Sequence, residues 1–122
     1  PIYDGLSRQS NIVRKKNAYR RAEAEYRQTL REVEAEMARA VQDRDGAMAA
    51  LKQADRRAKA QQEAYAINSK KFEQGLISPL ELKTSSDNHL NAQAEHLNAQ
   101  LKYFIKSCVV RYYNGTPYLE QL

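Results

Sequence analysis

The chain has 122 residues, with twenty Lys and Arg against fifteen Asp and Glu, two Phe and no Trp, and its mean hydropathy is −0.82. So few large apolar side chains exclude a globular core of ordinary size, and a composition led by Ala, Glu, Lys, Arg, Leu and Gln favours long helices. No run of eighteen apolar residues exists and nothing reads as a signal peptide, so no segment is expected to cross a membrane as a helix.

Glycine and proline are nearly confined to three places, Pro1 to Gly5, Gly75 to Pro79 and Gly115 to Pro117, with Gly46 as the one exception. The sequence opens at Pro1 without an initiator Met and reads as a piece of a longer protein. Between the first two clusters lies a period of seven. One row runs Ile12, Tyr19, Tyr26, Val33, Ala40, Ala47, Ala54, Gln61 and Asn68; a second runs Leu30, Met37, Arg44, Leu51, Ala58, Tyr65 and Phe72. Together they form one seam, bulky early, alanine in the middle and polar in one row near the end. This predicts a helix over residues 7–74, roughly 100 Å long at the standard rise per residue. Gly46 is a possible break, but a single glycine costs only about 1 kcal/mol and the seam continues beyond it. Charge is uneven along this helix. Residues 1–31 hold eight Lys and Arg against three Asp and Glu, while residues 32–122 hold twelve of each. Such a run reads as a solvated face, or as a surface for nucleic acid or anionic lipid.

The stretch KKFEQGLISPLELK, residues 70–83, holds the parts of a helix reversal. Gly75 stands where a left-handed C-cap glycine belongs. Ser78, Pro79 and Glu81 then read as N-cap, first helical residue and the reciprocal partner of a capping box. The turn is placed at residues 75–78. Leu76 and Ile77 fall at its apex, where they either plug the open end of the seam or meet a partner.

A second helix is expected over residues 79–114, near 54 Å long, followed by a tail at 115–122. Its apolar rows, Leu90, Leu97 and Phe104 beside Ala94, Leu101 and Cys108, with Ile105, Val109 and Tyr112 widening the stripe, are expected to resume the seam against the first helix. Being shorter, it leaves residues before about 36 without an intrachain partner. The fold class is therefore all-α, a long antiparallel two-helix coiled-coil hairpin. Cys108 is the only cysteine and reads as a small packing residue. His89 and His96 lie seven residues apart, about 10 Å along a helix, too far to share one ion, so no metal is expected. There is no glycine-rich phosphate loop, no nucleophile with a placed base and no concave pocket, so neither enzyme nor cofactor is expected.

The pattern formed by Phe72, Gly75, Ser78, Leu80 and Leu82, then Asn91 to Gln93, Leu97, Leu101 and Tyr112 to Gly115, resembles the C-terminal helical hairpin repeat of the TolC-type outer membrane factors. Pro1 to Gly5 is similar to the segment by which that family leaves its last barrel strand, although Leu6 replaces the usual second glycine and Phe72 stands where tyrosine is common. The resemblance covers nearly the whole chain and rests on the order and spacing of motifs that are individually weak. It implies that residues 1–6 exit a β-barrel strand in the cell outer membrane. It implies also that the rest is a segment of a periplasmic α-barrel in a homotrimeric export duct, serving drug efflux or type I secretion. The tip, Phe72, Gly75, Leu76, Ile77, Ser78 and Glu81, would dock a periplasmic adaptor protein and through it an inner-membrane pump, and would gate the duct. Two other readings compete: the hairpin of a periplasmic adaptor itself, and a basic coiled-coil arm binding nucleic acid. Against the second, the basic cluster lies far from the turn and the turn is not basic.

Overall fold

A computed structural model describes residues 2–115. It contains two helices, α1 at Ile2–Glu73 (72 residues) and α2 at Pro79–Tyr113 (35 residues), and no strand among the described residues. The all-α hairpin expected from the periodicity is the fold the chain adopts. Helix α1 begins at Ile2, five residues before the Ser7 anticipated, with Asp4 in its first turn complementing the positive end of the helix dipole. It passes Gly46 without a break. Pro1 and the tail beyond Gly115 lie outside the described residues. No helix among those described is long and apolar enough to cross a membrane.

Packing divides the chain into two units, Pro1–Ala38 and Arg39–Leu122. The first is a single stretch of α1 in which every residue from Tyr3 to Glu36 is exposed. Its seam residues Ile12, Tyr19, Tyr26, Leu30 and Val33 all face solvent, Tyr19 at 71% exposure. Local contacts support it: Arg27 to Glu23 at 2.9 Å, the Gln28 amide donating to Glu32 at 3.3 Å, and the Thr29 hydroxyl donating to the Glu25 carbonyl at 2.9 Å. Pairs of this kind each add only a few tenths of a kcal/mol.

In the second unit α1 and α2 run antiparallel, as the order of their contacts shows. Moving forward along α1, Asp43 meets Lys106 at 3.9 Å, Asp55 meets His96 at 3.6 Å, Arg57 meets Glu95 at 2.7 Å, and the Asn68 amide donates to Ser85 Oγ at 2.9 Å. The α1 seam here is the one read from the heptads: Ala40 is buried, and Ala47, Leu51, Ala54, Ala58, Gln61, Tyr65 and Asn68 are half-buried. Alanine at these positions lets the backbones approach closely.

The α2 half of the seam differs from expectation. Ser85, Ala92, Cys108 and Val110 are buried, with Ala92 fully so, and His89, His96, Ala99 and Tyr103 are half-buried. Leu90, Leu97, Leu101, Phe104, Ile105 and Tyr112, the rows thought to cover α1, are exposed, Leu97 at 66%. Only Cys108 of those rows is buried. Periodicity identifies an apolar row but not the neighbour that covers it. The rotation of α2 follows instead from matching the small and polar α1 face with small and polar partners. Asn68 finds Ser85, and Tyr65 stacks on His89 with ring centroids 5.5 Å apart and planes 8° from parallel. The buried apolar residues are Ala40, Ala92, Cys108 and Val110, and no large side chain is fully buried among the described residues.

Candidate functional site

The turn is built from its two helix ends. At the close of α1, Gly75 takes φ +74° and its amide donates to the Phe72 carbonyl at 2.9 Å, while the Leu76 amide donates to the Lys71 carbonyl at 2.8 Å. Those bonds satisfy carbonyls that the ended helix would leave open, and a residue lacking Cβ is needed because φ is positive. Lys70 and Lys71 in the last turn add charge of the sign that the C-terminal dipole favours. Ser78 then caps α2, its Oγ accepting from the Glu81 amide at 3.2 Å, with Pro79 at the first helical position. The expected return bond from the Ser78 amide to the Glu81 carboxylate is not made. Glu81 instead lies in the first turn, where its charge suits the dipole.

Six residues were singled out at the tip, and the structure brings them together on one short reversal. Leu76 is 67% exposed and plugs nothing, whereas Ile77 is half-buried. Gly75, Ser78 and Glu81 are exposed, and Phe72 is 39% exposed. Leu80, absent from that set, is 73% exposed and completes an apolar tip with Leu76. Its place beside the turn was legible, but its exposure depends on how α2 is turned about its axis, which no local signal fixes. A Cβ added at Gly75 would meet no atom of this chain within 4 Å. The cost of a β-carbon here is therefore backbone strain and not a clash within the chain.

Away from the tip, polar groups collect at the helix interface. The Asp55 carboxylate accepts from Lys59 at 2.9 Å and faces His96 at 3.6 Å. The Lys59 hydrogen bond holds the Asp55 carboxyl below its usual range; burial opposes it, and the charges of Lys59 and His96 add to the lowering. His89 stacks on Tyr65 and leaves a buried Nδ1 without a hydrogen bond. The two histidines thus go to different partners, and no group of three or more potential metal ligands occurs among the described residues. On one side of the interface an open furrow is lined by Ala47, Ala50, Ala99, Glu95, Asn98 and Lys102. Nothing in it pairs a nucleophile with a base.

The outer membrane efflux protein family model matches residues 1–111. Searches of curated proteins and of solved structures give no match. The matched family forms efflux channels of the outer membrane, whose work is transport rather than catalysis. With a match that spans both helices and the capped turn between them, the chain belongs to the outer membrane efflux protein family.

Proposed function

We propose that the chain is a wall segment of a homotrimeric export duct, serving drug efflux or type I secretion. In this reading residues 1–6, helical from Ile2, leave a β-barrel strand in the outer membrane. Residues 7–74 descend through the periplasm, residues 75–78 form the tip, and residues 79–114 return toward the membrane ahead of a tail at 115–122. The tip, at Phe72, Gly75, Leu76, Ile77, Ser78 and Glu81, with Leu80 added, docks a periplasmic adaptor protein that connects an inner-membrane pump, and it gates the duct. No cofactor and no nucleic acid takes part. Family membership supports the duct over the adaptor-hairpin reading.

One observation carries this. The bulky apolar rows of α2, from Leu90 to Tyr112, are turned away from α1 and exposed. A hairpin that buries its small residues inside and presents its large ones outside is built to be covered by neighbouring hairpins, as wall elements are. The exposed Leu76 and Leu80 extend that logic to the end of the wall, where a different partner is met.

The test is a pair of substitutions in the intact protein. Both Gly75→Ala and Gly75→Trp force a Cβ into a left-handed conformation, costing on the order of 1–2 kcal/mol, but only the indole adds bulk. Gly75→Trp is expected to abolish export with trimer assembly and membrane insertion retained, while Gly75→Ala and the interface variant His96→Ala still export. Normal export by Gly75→Trp, or equal loss in Gly75→Ala, would refute docking at this surface.

A further inference from the structure

From Gly5 to Ala22 the chain contains no acidic residue and six basic ones, Arg8, Arg14, Lys15, Lys16, Arg20 and Arg21. All are exposed, and none forms an ion pair with another described residue. What sets them apart from the cations further along is the missing carboxylate, since residues 32–122 hold twelve acidic residues for twelve basic ones and there Arg44, Arg57, Lys59 and Lys106 each lie within 3.9 Å of one. Like charges four apart repel along a helix, so this stretch carries a net positive field, its nearest carboxylates, Asp4, Glu23 and Glu25, lying at its two edges without pairing with any of the six.

The spacing describes the surface further. Arg8 and Lys15 are seven apart and share one face of α1, Arg14 and Arg21 share a second, and Lys16 and Arg20, four apart, share a third. The charge therefore rings the helix. A helix that lies flat in a bilayer needs its cations on one side and its apolar residues on the other, and this one does not have that arrangement. A ringed helix instead keeps positive charge toward its outer surroundings even when part of its circumference is covered by neighbours. Exposed Tyr3, Leu6, Ile12, Val13 and Tyr19 are interleaved with the cations, a mixture that suits the boundary between headgroups and water better than a purely phosphodiester ligand.

We propose that residues 8–21 of α1 form a binding surface for anionic phospholipid headgroups, holding the first turns of the wall helix against the membrane surface beneath the barrel. The placement next to a membrane rests on the duct reading; the affinity for anionic lipid does not. Each Lys or Arg within a Debye length of such a surface strengthens binding by about fivefold, and salt weakens all of them together.

The test is vesicle co-sedimentation of the whole chain. It is expected to bind vesicles containing phosphatidylglycerol, to ignore pure phosphatidylcholine, and to be released at about 0.5 M salt, where the Debye length falls to a few ångströms. The triple variant Arg14→Gln/Lys15→Gln/Lys16→Gln should bind about a hundredfold more weakly. The charge-matched triple Lys52→Gln/Arg56→Gln/Lys102→Gln, in the second unit, should lose less than about fivefold. Circular dichroism checks that both stay helical. Absence of binding to anionic vesicles, equal losses in the two triples, or tighter binding to duplex oligonucleotide than to vesicles at the same salt would overturn the proposal. If vesicles bind but Gly75→Trp exports normally, the duct reading alone fails; if Gly75→Trp blocks export and vesicles do not bind, the lipid surface alone fails.

Discussion

Helix α1 is one element under two regimes. From Tyr3 to Glu36 every residue is exposed and the contacts are local ones, four residues apart. From Ala40 to Asn68 the same heptad rows are half-buried or buried and are joined to α2 by an amide–hydroxyl bond, a stacked ring pair and charged pairs. Local helix propensity is similar in the two stretches, and what separates them is a partner. Since isolated helices gain little from propensity and most from tertiary packing, the second regime is self-supporting to a degree that the first is not. The first carries a seam of Ile12, Tyr19, Tyr26 and Val33 ready to be covered by other helices, whereas the second has its small residues already covered and its large ones, Leu97 and Leu101 among them, still open.

That contrast can be broken most directly by amide exchange. In dilute solution, amides of residues 12–33 should exchange orders of magnitude faster than those of residues 40–68, and raising the concentration should slow the first group alone if copies cover the seam. Equal protection in both stretches of a chain that sediments as a monomer would show that packing is not what distinguishes them.

Volume is the next probe. Ala92 has no exposed surface, so Ala92→Leu should overpack the interface and cost about 1–3 kcal/mol. Ala22→Leu, on the exposed stretch, should change stability by less than about 0.5 kcal/mol. Chemical denaturation of the two variants gives the comparison, and similar costs would mean that the exposed stretch is covered in solution.

A smaller gain is expected at Gly46, where an added Cβ would meet nothing within 4 Å and the backbone is helical. Gly46→Ala should stabilise the hairpin by roughly 0.5–1 kcal/mol, seen as a higher denaturation midpoint at unchanged slope.

The finest distinction is in pH. The folded Asp55 carboxyl titrates below its ordinary value of 3.8 because of Lys59 and, after it, His96. A depressed carboxyl contributes stability that is present above its unfolded value and is lost as pH falls through the folded one. Unfolding of the second unit should therefore become easier below about pH 4, and Asp55→Asn should flatten that slope. An unchanged slope in Asp55→Asn would assign the acid sensitivity to other groups.

Much of this molecule was legible from residue order alone. The heptads of α1 located its seam, and Gly75, Ser78 and Pro79 located the turn, because left-handed caps and N-caps depend on a few neighbouring residues. Motif order pointed to the outer membrane efflux protein family. What the order of residues could not decide was the rotation of α2. Its apolar row was plain, but whether Leu90, Leu97 and Phe104 face inward depends on which groups 17 to 63 residues away offer the better match. The fold turned Ser85, His89, Ala92 and His96 toward Asn68, Tyr65 and Asp55, and left the leucines outside. The pairing of Asp55 with His96 and the openness of Leu80 at the tip came from the same decision. Local capping is set by short-range stereochemistry and is written residue by residue, whereas the facing of a helix is a competition among long-range contacts that only the assembled chain resolves.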